Sequence, residues 1–124
     1  MKPIAIILCL LLFGKLSPSK YQLLIALDTQ RCVKCYLSSM YIEQIHIPTK
    51  IVFQEVDRRQ AGKFVNEIMG LKSPNYVVSD SLYNALQKSS SKNDCYLIDS
   101  KNNIVHTFKF EDLPQNLAII NKFN

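Results

Sequence analysis

Short apolar runs alternate with helical stripes along this chain, and that alternation restricts the folds that the sequence allows. Residues 21–27 are almost continuously apolar, which is typical of a strand buried on both faces of a parallel sheet. From Cys32 to Ile45 the apolar residues recur every three or four positions, which predicts an amphipathic helix that Pro48 ends. The order of these elements favours parallel strands that are joined through helices.

The middle of the chain continues this alternation. Residues 50–56 predict a second strand, and residues 75–79 predict a third. Asp57 and Gln60 have the spacing of a capping box, so a helix is expected to begin there and to end at Gly70. The buried face of this helix is expected to contain Ala61, Phe64, Val65, Ile68 and Met69.

The last third of the chain predicts a helix, a β-hairpin and a final helix. Asp80 is expected to cap a brief helix at residues 82–86, and residues 87–94 are expected to form a polar loop. Residues 95–98 and 104–110 flank a turn-forming sequence, DSKNN, so they are expected to pair as an antiparallel hairpin. The fold class is therefore α/β, with a mixed sheet that helices cover. The final helix is predicted by a stripe of Leu113, Leu117, Ile120 and Phe123, with Pro114 in its first turn.

The composition limits the class of protein. A chain of 124 residues that is 48% hydrophobic is expected to fold as one globular domain, and a disordered chain is excluded. Its net charge of +5 comes from basic residues scattered singly along the sequence, apart from the pair Arg58 and Arg59. Nucleic acid is not expected as a partner, because nucleic-acid binding needs a concentrated basic surface.

Residues 1–19 have the anatomy of a secretory signal peptide. Their apolar run, residues 4–13, has about half the length that a membrane span needs. Ser17 and Ser19 are the small residues before the expected cleavage site. An uncleaved anchor and a first strand of the domain are the alternatives. We expect a single exported domain over residues 20–124, periplasmic or extracellular, with membrane contact only through an uncleaved segment.

The motif Cys32-Val33-Lys34-Cys35 gives the clearest indication of chemistry, because it lies between a buried strand and an amphipathic helix. Unpaired backbone N–H groups at the start of a helix favour an anion, so Cys32 is expected to form a thiolate readily. The spacing places both sulfurs on the first turn, where a disulfide closes and reopens. Cys32 is expected to attack a substrate disulfide, and Cys35 to resolve the mixed disulfide. The charges of Arg31 and Lys34 are expected to stabilise the thiolate further and to make the disulfide a better oxidant.

Two other interpretations of the cysteine pair remain open. A closed zinc site needs two further ligands, and only Cys95, His46 and His106 are available outside the pair, so no metal site is assigned. A purely structural disulfide is the second alternative, although so short a loop gains little stability from the constraint. The two histidines are assigned no role.

With these features, residues 21–123 resemble a thioredoxin-like fold, in particular the exported TlpA/ResA-type thiol-disulfide oxidoreductases. The resemblance rests on the order of strand, CVKC and helix, on KIVFQEVD at residues 50–57, and on YLIDSKNNIV at residues 96–105. It implies a three-layer α/β/α sandwich with a C-terminal hairpin and a final helix. It also implies dithiol–disulfide exchange with Cys32 as nucleophile and Cys35 as resolving thiol, and no cofactor beyond the redox-active disulfide of this pair.

Several positions depart from the pattern of that family. Asn93 stands where the family usually has a cis-proline; because a non-proline cis bond costs about 2.5–4 kcal/mol, we expect a trans bond and an altered substrate-docking loop. Arg31 replaces the aromatic residue that usually precedes the first cysteine. Ala26 replaces the buried acid of thioredoxin, which leaves Asp28 as the candidate proton acceptor. Cys95 is either an ordinary buried strand cysteine or a third redox thiol near the pair.

The sequence thus predicts a monomeric, exported thiol-disulfide oxidoreductase whose partners are protein thiols or disulfides and a second protein that resets the pair. The alternative is a non-catalytic thioredoxin-like module that binds a protein partner or a metal ion. A peroxiredoxin-like peroxidase is disfavoured, because its Pro-x-x-x-Thr-x-x-Cys arrangement is absent before Cys32. Oxidants and reductants share the expected geometry, so both directions of electron flow stay open.

Overall fold

The computed structural model describes residues 20–28, 40–68, 75–90 and 92–123 of the chain. Three α-helices accompany one sheet in these residues: α1 (Arg58–Lys63), α2 (Asp80–Ser89) and α3 (Leu113–Asn121). The strands of the sheet are β1 (Tyr21–Ala26), β2 (Thr49–Phe53), β3 (Tyr76–Val78), β4 (Cys95–Asp99) and β5 (Ile104–Phe108).

The strands form a mixed sheet in the order β3-β2-β1-β4-β5. β1 pairs in parallel with β2, and β2 pairs in parallel with β3. β4 lies antiparallel to β1, and it forms the predicted antiparallel hairpin with β5. The prediction of an α/β fold with a mixed sheet, a hairpin and a final helix is therefore confirmed at this level.

β1 is the central strand, and it contributes alternate side chains to two apolar clusters. Leu23 and Ile25 belong to the cluster that also contains side chains of α1 and α3, whereas Leu24 and Ala26 belong to the cluster that contains side chains of α2. All four are at most 1% exposed. Burial of each large aliphatic side chain contributes about 1.5–3 kcal/mol, which explains why this segment is apolar almost without interruption.

The start of α2 differs from the prediction, because Ser79 caps the helix instead of Asp80. The backbone of Ser79 is extended (φ −158°, ψ 114°), and its hydroxyl accepts a hydrogen bond from the N–H of Leu82 at 3.2 Å. Asp80 is the first helical residue, and its Oδ1 accepts from the N–H of Glu55 at 2.9 Å. The carboxylate therefore joins the end of β2 to the start of α2.

The capping box predicted for the start of α1 is also wrong. A 3-10 turn over Glu55–Asp57 leads directly into the helix, and Asp57 (φ −97°, ψ 3°) makes no capping hydrogen bond with its side chain. After α1 the chain continues as a π-helical segment, Phe64–Ile68. The predicted buried face is confirmed for Ala61, Phe64 and Val65, while the side chain of Ile68 and residues Met69 and Gly70 lie outside the described residues.

Other boundaries move by a few residues. β2 ends at Phe53 and β5 at Phe108, because a 3-10 turn follows each strand within two residues. α2 continues to Ser89 through part of the predicted loop, since Gln87 and Lys88 are good helix formers. The helix predicted up to Pro48 does not extend through residues 40–47, which contain only a 3-10 turn at Ile42–Gln44; residues 32–39 lie outside the described part.

Candidate functional site

The predicted site is described only in part. Arg31, Cys32, Lys34 and Cys35 lie outside the described residues, as does the predicted signal segment, residues 1–19. Asn93 and Cys95, together with Asp28 at the end of β1, are described. The site is therefore built here from the sheet edge at which β1 ends and from the loop beside that edge.

The carboxyl end of β1 lies directly beside the start of β4. The N–H of Ala26 donates to the carbonyl oxygen of Asp94 at 2.7 Å, and Ile25 is paired with Cys95 in the sheet. Because β2 and β3 run parallel to β1, their carboxyl ends reach the same edge. In open α/β sheets this edge is where ligands usually bind. Asn93 and Cys32 are thus attached in sequence to neighbouring strand ends.

We refer to residue 90 and residues 92–94 as the β4 loop. Tyr96 organises this loop from within the sheet: its hydroxyl lies 2.8 Å from the carbonyl oxygen of Ser90 and 2.7 Å from that of Asn93. The same hydroxyl accepts from Nε2 of Gln87 at 3.3 Å. Sequence reasoning missed this role, because the sequence shows Tyr96 only as one of several apolar residues in a predicted strand.

The side chain of Asn93 ties the same loop to the neighbouring strand. Its Nδ2 donates to the hydroxyl of Thr107 on β5 at 2.8 Å and to the hydroxyl of Ser90 at 3.1 Å. The peptide bond before Asn93 is trans, as predicted, since no bond between described residues is cis. Ser90 and Thr107 also line an open pocket of about 300 Å³, together with Ser89 and Ile104.

Cys95 is fully buried at the beginning of β4. It pairs with Ile25 on one side and with Phe108 on the other, and it belongs to the cluster that contains side chains of α1 and α3. A thiol in this position packs like a small apolar side chain. Its position relative to Cys32 and Cys35 lies outside the described residues.

The side chain of Asn121, at the end of α3, binds the backbone of residues 44–46, where the sequence predicts the end of the cysteine helix. Its Oδ1 accepts from the N–H of His46 at 2.8 Å, and its Nδ2 donates to the carbonyl oxygen of Gln44 at 3.1 Å. This clasp joins segments that are separated by 75 and 77 residues in the sequence. No local sequence signal identifies it, because both partners are backbone groups.

The two histidines make structural contacts. His46 is held through its backbone, as described above. The ring of His106 packs against Phe108 at 5.5 Å between centroids, and its Nε2 lies 2.9 Å from Oδ1 of Asn116. Nδ2 of Asn116 donates to the carbonyl oxygen of Asp112, so Oδ1 is the acceptor and Nε2 of His106 carries the hydrogen. In the described part of the chain, no group of three or more His, Cys, Asp or Glu could hold a metal ion.

The hydroxyl of Tyr96 is held in its protonated form. Burial, and after it the nearby charge of Asp94, raise the pKa of Tyr96 far above its usual value of about 10. A neutral hydroxyl donates a hydrogen bond to carbonyl oxygens, whereas a phenolate would repel them. The network around the β4 loop therefore depends on this proton.

We expect Tyr96 to make the protein unstable in alkali. Below pH about 10 Tyr96 is protonated in the folded and the unfolded states, so its contribution to stability is fully present. Above that pH the unfolded state loses the proton first, and the free energy of unfolding falls as the pH rises toward the raised pKa. Urea unfolding between pH about 8 and about 11 measures this slope, which we expect to be smaller in Tyr96→Phe.

The matched control is Tyr21→Phe, which removes a hydroxyl at the opposite end of β1. The rings of Tyr21 and Phe123 make a T-shaped contact, at 4.7 Å between centroids. This variant is expected to keep the alkaline slope of the wild type. A phenolate signal from Tyr96 in the folded protein near pH 10, assigned by its loss in Tyr96→Phe, would contradict the prediction.

Comparisons with known proteins give no family for this chain. None of the protein-family models, curated proteins or solved structures compared with it matches. Among the helices of the described residues, none is both long and apolar enough to cross a membrane.

Proposed function

We propose that this protein is an exported thiol-disulfide oxidoreductase with a thioredoxin-like, three-layer α/β/α fold, which acts on protein thiols through Cys32 and Cys35. One observation carries the proposal. The end of β1, which leads into the CVKC motif, is hydrogen-bonded at 2.7 Å to the β4 loop, through Ala26 and Asp94. The contact between the end of β1 and the β4 loop supports a reactive pair with a docking loop beside it. The mixed sheet, with helices on both faces, is compatible with the proposed fold.

The proposed exchange conserves atoms and electrons. The thiolate of Cys32 attacks one sulfur of a substrate disulfide, which forms a mixed disulfide and releases the other substrate sulfur as a thiolate. The thiolate of Cys35 then attacks the sulfur of Cys32, and the second substrate sulfur leaves as a thiolate that takes up a proton. Two electrons pass to the substrate, while the pair becomes a disulfide that an external dithiol reduces again. The reverse sequence of steps oxidises a substrate dithiol.

Two measurements on the wild-type protein test this proposal. The first is reduction of insulin disulfides in the presence of dithiothreitol, which we expect to proceed well above the rate with dithiothreitol alone. The second is the reduction potential of the pair. A value of about −220 mV or lower indicates a reductase, and a value of about −120 mV indicates a donor of disulfides. The proposal is wrong if the wild-type protein does not accelerate insulin reduction and its cysteine pair cannot be reversibly oxidised and reduced.

A non-catalytic binding module is the second candidate. It is favoured by Asn93, whose amide closes the β4 loop with hydrogen bonds to Ser90 and Thr107 at the position where the resemblance expects a proline. In that case the purified protein would hold a partner, or zinc or copper in stoichiometric amount, and its cysteines would not cycle. Metal analysis of the purified protein beside the insulin assay separates the two candidates.

A further inference from the structure

We propose that the open pocket between the end of α2 and the strand β5, the α2–β5 pocket, binds a carboxylate that is attached to a short apolar chain. The inference goes beyond the proposed function, because it involves neither the cysteine pair nor electron transfer. The pocket has a volume of about 300 Å³, and Ser89, Ser90, Ile104 and Thr107 line it. This volume is at the lower end of the range for ligand pockets, so the pocket suits a small ligand group.

The side-chain amide of Asn93 fixes how two of the lining hydroxyl groups are used. Its Nδ2 donates to Oγ1 of Thr107 at 2.8 Å and to Oγ of Ser90 at 3.1 Å. An amide nitrogen only donates, so both hydroxyls accept from Asn93, and each keeps its own hydrogen for another partner. Neither hydroxyl donates to a group within the described residues. The α2–β5 pocket therefore presents two O–H donors to a ligand.

The two donors are close enough to hold one carboxylate. Both hydroxyl oxygens lie within hydrogen-bond distance of the same nitrogen, so they are less than about 6 Å apart. Each oxygen of a carboxylate can accept one hydrogen bond across such a spacing. Because hydrogen bonds to an ionised acceptor are about twice as strong as those to a neutral one, the two hydroxyls favour a carboxylate over an amide.

Ser89 lines the same pocket, but its hydroxyl is used differently. It donates to the carbonyl oxygen of Ala85, one turn earlier in α2, at 3.1 Å. The hydrogen of Ser89 is therefore engaged within the helix, and this residue offers no donor to a ligand. The neighbouring residues Ser89 and Ser90 thus differ in the one property that the carboxylate site requires.

Ile104 gives the pocket an apolar wall. Its side chain packs against the cluster that contains side chains of α2, and it pairs with Ile98 in the sheet. β5 is the last strand of the sheet on this side, and the pocket beside it is open to solvent. A short apolar chain can therefore lie against Ile104 while the carboxylate meets the two hydroxyls.

The charges near the pocket also suit an anion. Lys88 lies in the last turn of α2 and Lys92 in the β4 loop, and both are exposed. Neither lysine forms an ion pair within the part of the chain that the structure describes. The carboxylate of Asp94, in the same loop, accepts a hydrogen bond from the N–H of Phe110 at 3.1 Å. The two lysines thus offset the negative end of the α2 dipole, which by itself disfavours an anion.

Titration of the purified protein with butanoate, followed by two-dimensional NMR of the backbone amides, tests the site. We expect the signals of the four lining residues to shift and to saturate. Butyramide has the same shape without the charge, and we expect it to bind about tenfold more weakly. N-acetyl-glutamate N-methylamide presents a carboxylate as a protein side chain does. Tighter binding of this compound would assign the ligand to an acidic segment of a partner protein, and tighter binding of butanoate would assign it to a free acid.

Four variants locate the bound carboxylate. Thr107→Val and Ser90→Ala each remove one donor, and each is expected to raise Kd for butanoate about tenfold, the factor for one lost hydrogen bond to a charged group. Thr107→Ser, which keeps the hydroxyl, and Ser89→Ala, which removes no donor from the pocket, are expected to keep the wild-type Kd. Thr107 and Ser90 are partly exposed, so their variants are expected to fold.

Three results would overturn the carboxylate site. They are a titration with butanoate that moves none of the four signals, an unchanged Kd in both donor variants, and equal affinity for butanoate and butyramide. A loss of affinity in Ser89→Ala as large as in Ser90→Ala would also contradict it, because the engaged hydroxyl would then be binding the ligand. None of these measurements depends on thiol-disulfide exchange, so the site and the proposed function are tested separately.

Discussion

Cys32→Ser is expected to lower the rate of insulin reduction to the background of dithiothreitol alone. The exchange begins with attack by a thiolate, and a serine hydroxyl neither ionises near neutral pH nor forms a bond to sulfur that a second thiol can reverse. Without the thiolate of Cys32, the first step of the proposed exchange cannot occur. Turnover of insulin by the purified variant, measured as precipitation of the reduced B chain, checks this expectation.

Cys35→Ser is expected to fail at the second step instead of the first. Attack by Cys32 still forms the mixed disulfide, but the variant has no second thiol to resolve it. A covalent complex with the substrate therefore accumulates, and a reducing agent separates it. The matched control is Cys95→Ala, which is expected to retain activity because that thiol is fully buried in β4. Wild-type turnover by Cys32→Ser, or loss of turnover in folded Cys95→Ala, would show that the reactive thiol has been assigned to the wrong residue.

Phe53→Ala is expected to lower the free energy of unfolding by about 3–5 kcal/mol, the usual cost of removing a large aromatic side chain from a core. Phe53 is 0% exposed at the end of β2. Its ring makes T-shaped contacts with the rings of Phe64 and Tyr76, with 5.9 Å between centroids in both pairs. The variant therefore loses contacts with the segment after α1 and with β3 at once. Urea unfolding monitored by circular dichroism measures the loss.

A second phenylalanine gives the comparison for this effect. Phe123 is only partly buried near the end of α3, where its ring packs against Tyr21. Phe123→Ala is expected to cost clearly less than Phe53→Ala, because less apolar area returns to water. Equal losses in the two variants would mean that the contacts of Phe53 do not form the part of the core assigned to them here.

The elements that sequence reasoning predicts well are those whose apolar pattern is complete within a few residues. Residues 21–27 are apolar in a row because both faces of β1 are covered, and the pattern alone reveals that burial. The hairpin is similarly local, since its turn lies within Asp99–Asn103: the carboxylate of Asp99 accepts from the N–H groups of Lys101 and Asn103. Asn102 supplies the positive φ of 64° that such a turn requires.

The helix caps were less predictable, because the deciding contacts come from elsewhere in the chain. Ser79 and Asp80 are both good capping residues, and the sequence does not rank them. The choice follows from Glu55, whose N–H binds the carboxylate of Asp80 across 25 residues of sequence. Only the folded arrangement brings those two groups together.

Sequence reasoning predicted the strands that flank the described part of the candidate site, but it did not predict the hydrogen bonds of the β4 loop. The order of elements is enough to attach Asn93 and the CVKC motif to neighbouring strand ends. It does not indicate that Tyr96 and Thr107 hold the loop, because an aromatic and a β-branched residue in strands are explained by packing alone. The hydroxyl of Tyr96 holds the loop through two backbone carbonyl groups, and the hydroxyl of Thr107 holds it through the side-chain amide of Asn93.

The clasp made by Asn121 has a consequence for how the chain matures. Its two hydrogen bonds reach back to Gln44 and His46, and Asn121 is the last residue of α3. During synthesis these bonds cannot form until Asn121 itself has been made, and contacts so distant in sequence form late in folding. Residues 44–46 therefore gain these two contacts only after β2, β3, β4 and β5, which lie between them and Asn121 in the sequence, have been synthesised.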